Sequence, residues 1–275
     1  MHDATSKVVL ITGASSGIGK CCADHLVKCG YRVFGTSRRP PTSDPAGTAG
    51  VEMIPMDVDD DFSVTEGVRS VTQRAGRLDA VINNAGWGLM GAVEDTSTDE
   101  AKAQLETNFF GVLRVCRTVL PIMRQQGGGY VINISSLAAI VGLPFSGLYS
   151  ASKFALEGLT ESLRLETWRC GIRVVLVEPG DFRTNFPTAR RFTRASAGNG
   201  TYREAFERAR VAQEREETHG PAPEPIAYLI EKILRTSKPR LRYSVGMLSQ
   251  RIVVPCKRLL PQRLFEWLLC RVLGL

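Results

Sequence analysis

The sequence predicts an α/β fold: a doubly wound parallel sheet, helices on both faces, and an amphipathic segment appended at the C-terminal end. Three observations carry that expectation. Short β-branched runs alternate with helical patterns, an order that makes right-handed βαβ crossovers and buries a parallel sheet on both sides. A glycine-rich turn follows the first strand directly. No internal repeat or linker divides the 275 residues, so one domain is expected, although length alone also allows two small ones.

Taken in order, residues 7–12 (KVVLIT) read as a buried strand and 17–29 as the helix after it. Residues 31–36 form the next strand, and 40–50 a Pro/Gly/Ser/Thr-rich loop. Further strands are expected over 51–56, 79–83, 130–135 and 172–178, most of them separated by helical stretches. After Pro179-Gly180 the character changes. Residues 181–200 hold four arginines among small polar residues, and 202–217 form a highly charged helical stretch. PAPEP (221–225) then leads into an amphipathic helix over 226–235 and a short strand over 241–245. An insertion at 181–225 suits a mobile substrate cover and equally a solvated excursion. The domain is thus expected over 1–246, with 247–275 as its extension.

The turn after the first strand reads TGxxxGxG, from Thr12 through Gly13, Ser15, Ser16, Gly17 and Ile18 to Gly19. Its three glycines permit a tight turn and let a phosphate approach main-chain N–H groups. The helix that starts near Gly17 presents its positive end to the same anion. Where the second strand ends, a carboxylate would hold ribose hydroxyls and repel a phosphate. This chain instead places Ser37 and Arg38 there, donors suited to a 2′-phosphate, so NADP(H) is expected over NAD(H).

Tyr149 and Lys153 stand four residues apart on one helix face. A neighbouring ammonium favours phenolate and draws a tyrosine toward the working range of an acid–base group. Ser136, at the end of VINIS, can hydrogen-bond an oxygen that gains negative charge in a transition state. With these stand Asn83-Asn84-Ala85-Gly86 at the end of the fourth strand, Asn108 within TNFFG, and Pro179-Gly180.

Together these motifs resemble the short-chain dehydrogenase/reductase family over residues 7 to about 246. The resemblance implies a Rossmann fold, a nicotinamide cofactor and hydride transfer between carbonyl and alcohol. It further implies Tyr149 as acid/base, Lys153 lowering its pKa and holding the nicotinamide ribose, Ser136 orienting the carbonyl, and Asn108 holding a relay water. Asp57 and Val58 match the adenine-contacting pair. Asn83 and Ala85 match the cofactor-supporting residues, with Asn84 and Gly86 beside them in the same motif. Thr184 matches the threonine that reaches the carboxamide. The stretches around Pro144-Phe145 and 149–159 resemble hydroxysteroid and retinol dehydrogenases of this family. A homodimer or homotetramer is implied as well.

Apolar residues near these motifs suggest a lipophilic substrate pocket: Trp87, Leu89 and Met90, residues 137–141, and Phe145, Phe182, Phe186 and Phe192. In the extension, Arg251, Lys257, Arg258, Arg263 and Arg271 face one acid, Glu266. Leu260, Leu264, Trp267, Leu268 and Arg271 follow helical spacing. Residues 250–275 therefore suit an anionic membrane surface, a cover for the substrate mouth, or a partner subunit.

Composition sets the outer bounds. Forty-three per cent hydrophobic and 23% charged residues exclude a collagen, a low-complexity chain and global disorder. The net charge of +7 brings no nucleic-acid motif with it, so no nucleic-acid partner is expected. Seven cysteines with no CxxC pair, and the scattered His2, His25 and His219, argue against a disulfide framework or zinc site. No apolar stretch precedes Val8, and no run reaches membrane-span length, so a reducing cytoplasmic setting is expected, with peripheral membrane contact left open. The rival functions are a non-catalytic NADP-sensing or scaffold protein of the same fold, and a reductase of smaller aliphatic or acyl carbonyls.

Overall fold

The structure, a computed structural model, describes residues 6–39, 50–197 and 200–275. The expected loop at 40–49, and His2 with the first residues, lie outside the described part.

Among the described residues, seven parallel strands form one sheet. They are β1 (Val8–Ile11), β2 (Arg32–Ser37), β3 (Val51–Pro55), β4 (Ala80–Asn83), β6 (Gly129–Ile134), β7 (Ile172–Pro179) and β9 (Arg242–Val245). Their spatial order is β3-β2-β1-β4-β6-β7-β9. The chain builds outward from β1 to β3, then crosses back to place β4 on the other side of β1. Val9 is consequently in register with both Val33 and Ala80. This reversal opens a crevice at the carboxyl ends of β1 and β4, where ligands bind in open α/β sheets.

Successive side chains of a strand point to opposite faces, and β1 uses both. Val8 and Leu10 join a core with Phe34, Val68, Val115 and Leu156, beneath α2 (Asp61–Ala75), α4 (Gly111–Gln125) and α5 (Gly147–Glu166). Val9 and Ile11 join a second core with Leu26, Ile230 and Ile233, beneath α1 (Gly17–Lys28) and α8 (Glu224–Leu234). Both faces are therefore covered, which is why these strands read as continuous apolar runs. α3 (Thr98–Leu105) runs into α4 through a π-helical turn at Glu106–Phe110, which turns Asn108 into the interior.

The insertion follows β7: α6 (Phe186–Ala189), β8 (Arg191–Phe192) and α7 (Arg203–His219). The sequence did not foreshadow a second small sheet, in which β8 pairs in parallel with β5 (Leu89–Met90) and ties the insertion to the NNAG loop. Beyond β9 the tail is α9 (Leu248–Arg251), α10 (Val253–Leu259) and α11 (Gln262–Leu273). The expected single stripe from Leu260 to Arg271 is broken, because Leu260 is extended and precedes Pro261 at the start of α11. Phe265 and Leu273 are the buried residues of α11, which packs on α7, while Leu264, Trp267 and Leu268 face outward. No helix among the described residues is long and apolar enough to cross a membrane.

Candidate active site

Between β1 and α1 the backbone enters the left-handed region at Gly13 (φ +65°) and Gly17 (φ +54°), which L side chains resist. Gly19 is required for a different reason: a Cβ there would overlap the Gly13 carbonyl and the Asn84 amide. Thr12 and Asn84 hold the turn in place. The Thr12 hydroxyl accepts from the Asn84 and Ala85 amides at 2.9 and 3.0 Å, and Asn84 Nδ2 donates to the Thr12 and Gly13 carbonyls at 2.9 and 3.1 Å. Ser16 begins α1 with no side-chain cap, and the first turn carries no acid. Its orphan amides and positive end therefore fit an anionic phosphate group.

These residues open onto one cavity of about 1050 Å³ that runs along the carboxyl edge of the sheet. Gly13, Ser15, Ser16, Gly17 and Ile18 line it, as do Ser37, Arg38, Asp57 and Val58 at the β2–β3 end. Asn84, Ala85, Gly86, Ser136, Tyr149, Lys153, Pro179, Gly180 and Thr184 complete the expected set along its length. Arg38 is exposed, and its charge pulls down on the Asp59 carboxyl, which burial pushes up.

Three expected residues take other places. Gly19 acts in packing, as above. Asn83 is buried and donates to Asn133 Oδ1 at 2.8 Å, so the neighbouring Asn84 does the supporting. The Asn108 side chain lies behind the cavity wall. Its oxygen accepts from the Trp87 amide at 3.1 Å, and its nitrogen donates to the Trp87 carbonyl and Ser152 Oγ at 3.0 and 3.1 Å. That amide braces the NNAG loop against α5, with both of its hydrogens engaged there.

Tyr149 and Ser136 line the same stretch of the cavity, and Phe186 packs at a tilt on the Tyr149 ring, 5.7 Å between centroids. Burial pushes the phenol up to about 12, opposed by the nearby Ser136 hydroxyl and reinforced by the Asp181 and Glu217 carboxylates. Lys153 is 6% exposed and donates to the Ile134 carbonyl at 2.9 Å; burial pushes it down to about 8. Its ammonium stands 5.8 Å from the Tyr149 ring centroid. In these surroundings burial outweighs the expected pull of that ammonium on the phenol.

The other end of the cavity is apolar on one side. Trp87, Leu89, Leu137, Ala138, Val141, Phe182 and Phe186 line it, joined by Val253, Leu269, Val272 and Leu273 from the tail. Met90 belongs to the core instead. Phe145 and Phe192 pack against Phe206 on α7. Lys257 of the tail donates to the Ile140 carbonyl, clamping α10 over the segment after Ser136. The opposite side is charged, and sequence reasoning missed it. Asp181, Arg190, Glu216, Glu217 and Gln250 all line the cavity. Only Asp181 had a signal, its place directly after Pro179-Gly180.

Arg190 and Glu217 form an ion pair whose side chains are 4% and 9% exposed. Among the described residues, Glu217 Oε2 and Arg190 Nη1 have no hydrogen-bond partner. Leaving such groups buried and unpaired costs on the order of 1–3 kcal/mol each. Burial pushes Asp181 up to about 6 and Glu217 up to about 7, with Arg190 pulling both down.

Apart from this cavity, His25, Cys29 and Glu231 bring donor atoms within 4.8 Å of one another, a cluster the scattered histidines did not suggest. His25 Nε2 and Glu231 Oε2 already satisfy each other at 2.6 Å. All seven cysteines are free thiols.

Comparison with known proteins bears on this geometry. The family model described as short chain dehydrogenase matches residues 7–194. A 3-ketodihydrosphingosine reductase from Bacteroides thetaiotaomicron is 41% identical over 96% of each chain. A retinol dehydrogenase from Bos taurus is 33% identical over 88% of this chain and 82% of its own. Among solved structures, a short-chain dehydrogenase from Streptomyces avermitilis superposes with a TM-score of 0.81, at 35% identity over 92% of this chain and 93% of that one.

Proposed function

The chain belongs to the short-chain dehydrogenase/reductase family, whose members work with a nicotinamide dinucleotide, and on that premise we propose an NADP(H)-dependent oxidoreductase that interconverts a lipophilic carbonyl and its alcohol. The carrying observation is that the glycine-turn amides, Tyr149, Ser136 and Lys153 line one continuous cavity with an apolar far end. When bound, a nicotinamide dinucleotide would supply the hydride that reduces the carbonyl carbon. Ser136 holds the carbonyl oxygen, and Tyr149 gives its proton to that oxygen as negative charge develops there. Lys153 holds the nicotinamide ribose through its ammonium and keeps positive charge beside the phenol. Ser15, Ser16, Gly17 and Ile18 hold the pyrophosphate on main-chain amides, while Ser37 and Arg38 hold the 2′-phosphate. Asp57 and Val58 would flank the adenine, Asn84, Ala85 and Gly86 would support the dinucleotide, and Thr184 would hold the carboxamide.

The Bacteroides relative favours a sphingoid-type ketone over a hydroxysteroid; the bovine relative keeps a retinoid as the second reading. Residues 1–246 form the catalytic domain, and 181–225 wall its substrate end. The tail closes the cavity mouth with its inner side and offers an anionic membrane surface its exposed leucines, Trp267 and basic residues. The test follows NADPH fluorescence on mixing, then its oxidation against a panel of sphingoid, steroid, retinoid and short aliphatic carbonyls. Turnover of lipophilic members alone is expected. Binding without any turnover would favour a dinucleotide sensor, and turnover of short carbonyls alone would overturn the lipophilic reading.

A further inference from the structure

Hydride transfer leaves two carboxyl groups of the cavity without a task. Glu217, on α7, is 7% exposed and lines the cavity. Arg190 holds one of its oxygens, and the other, Oε2, is buried without a partner among the described residues. Asp181, just past β7, is fixed in place by Gln250, which donates to its Oδ2 and accepts from its amide, both at 3.0 Å. The same Gln250 amide reaches Glu216 at 3.3 Å, so three carboxyl groups gather at this wall.

Arg190, Arg191 and Arg215 line the same cavity. Arg190 is the buried guanidinium at this wall. Its neighbour Arg191 lies exposed over the Trp87 ring, 4.2 Å from the centroid, and Arg215 is exposed. Asp181 and Glu217 also bear on the Tyr149 hydroxyl, pushing the phenol up, which places them within electrostatic reach of the acid/base group. A buried carboxylate oxygen without a donor, beside a second carboxylate, suits a ligand group with positive charge and several N–H donors. A primary ammonium has three such donors. Asp181, Glu217, Tyr149, Ser136, Phe186 and the tail residues line one cavity, so a single substrate could present an ammonium, a carbonyl and an apolar chain to them.

We propose that Asp181 and Glu217 form a specificity subsite for a primary ammonium group carried next to the reacting carbonyl of the lipophilic substrate. The subsite rests on the carbonyl-reductase reading above and deepens it. Burial pushes both carboxyls up, to about 6 and about 7, which matches groups that reach full ionisation when a cation arrives.

The test compares two ketones of equal chain length with NADPH: 3-ketodihydrosphingosine and its analogue lacking the amine. For the unaltered protein, kcat/KM is expected to favour the amine by roughly tenfold or more, with most of the difference in KM. That ratio is expected to fall toward unity in Asp181→Asn and in Glu217→Gln. Glu217→Gln strips Arg190 of its buried counter-ion, so a thermal midpoint accompanies each variant. Asp181→Asn keeps an acceptor for Gln250 and serves where Glu217→Gln does not fold. Equal kcat/KM for the two ketones in the unaltered protein overturns the subsite and leaves the reductase reading standing. A ratio unchanged in every folded variant also overturns it. If neither ketone is reduced, both the subsite and the sphingoid reading fall.

Discussion

At the α1 end of the cavity the walls are mostly backbone: the Gly13 and Gly17 turn, orphan helix amides, and the carboxyl ends of β1 and β4. At the far end they are side chains, brought by α7 and the tail to residues that lie 27 and 69 positions away in sequence. The first end can hold an anion through geometry common to any strand–turn–helix with these glycines. On the proposed reading, the second would choose its ligand by which carboxyls and apolar groups meet there. Binding of a shared cofactor and choice of an individual substrate are thus written in different materials, and substitutions at the two ends are expected to separate them.

Between the two ends stands Tyr149, and the largest effect is expected there. Tyr149→Phe should lower turnover by roughly a hundredfold to ten-thousandfold, the range for loss of a positioned acid–base group. NADPH fluorescence should change little on this substitution; a variant that turns over undiminished would remove the tyrosine from the chemistry. At the backbone end, Arg38→Asp places a carboxylate where a 2′-phosphate is expected. The ratio of kcat/KM for NADPH to that for NADH should drop by roughly tenfold to a hundredfold, measured by absorbance with a fixed carbonyl. An unchanged ratio would show that the corner does not read the phosphate.

The smallest effect is expected in pH dependence at the side-chain end. Asp181 and Glu217 face Glu214, Glu216, Arg190 and the Tyr149 phenol, and burial pushes them up to about 6 and about 7. As pH rises through those values the carboxyls lose protons and gain negative charge. KM for an ammonium-bearing ketone should therefore fall a few-fold between about pH 5.5 and about pH 7.5, with KM for the neutral analogue flat. Parallel profiles for the two ketones would sharpen the comparison differently, by assigning the charged wall to packing alone.

Legibility in the sequence followed the same division. Every strand of the main sheet was placed within a residue or two, because apolar β-branched runs buried on both faces are a local signal. Of the expected cavity residues, those in the glycine turn other than Gly19, at Ser37-Arg38, at Asp57-Val58 and on α5 all came together. Asn83 and Asn108 did not, for a shared reason. Which of two adjacent asparagines faces the cavity depends on where β4 ends. Whether Asn108 faces it depends on a π-helical turn that no periodicity announces. The β5–β8 pair was equally hidden, since two-residue strands carry no alternation to read. In the tail, helical spacing was continued across Pro261, although a proline favours an extended residue before it.

By itself, then, the sequence determined the α/β order, the anion-binding turn, the Tyr149–Lys153 pair and the basic character of the tail. Each of these is a property of residues within one or two turns of one another. Only the tertiary structure decided that Arg190 pairs with Glu217, that Gln250 of the tail fixes Asp181, and that burial governs the Tyr149 phenol. Those facts depend on which distant segments exclude water from the same volume. Desolvation and charge pairing are set by that volume and not by position along the chain.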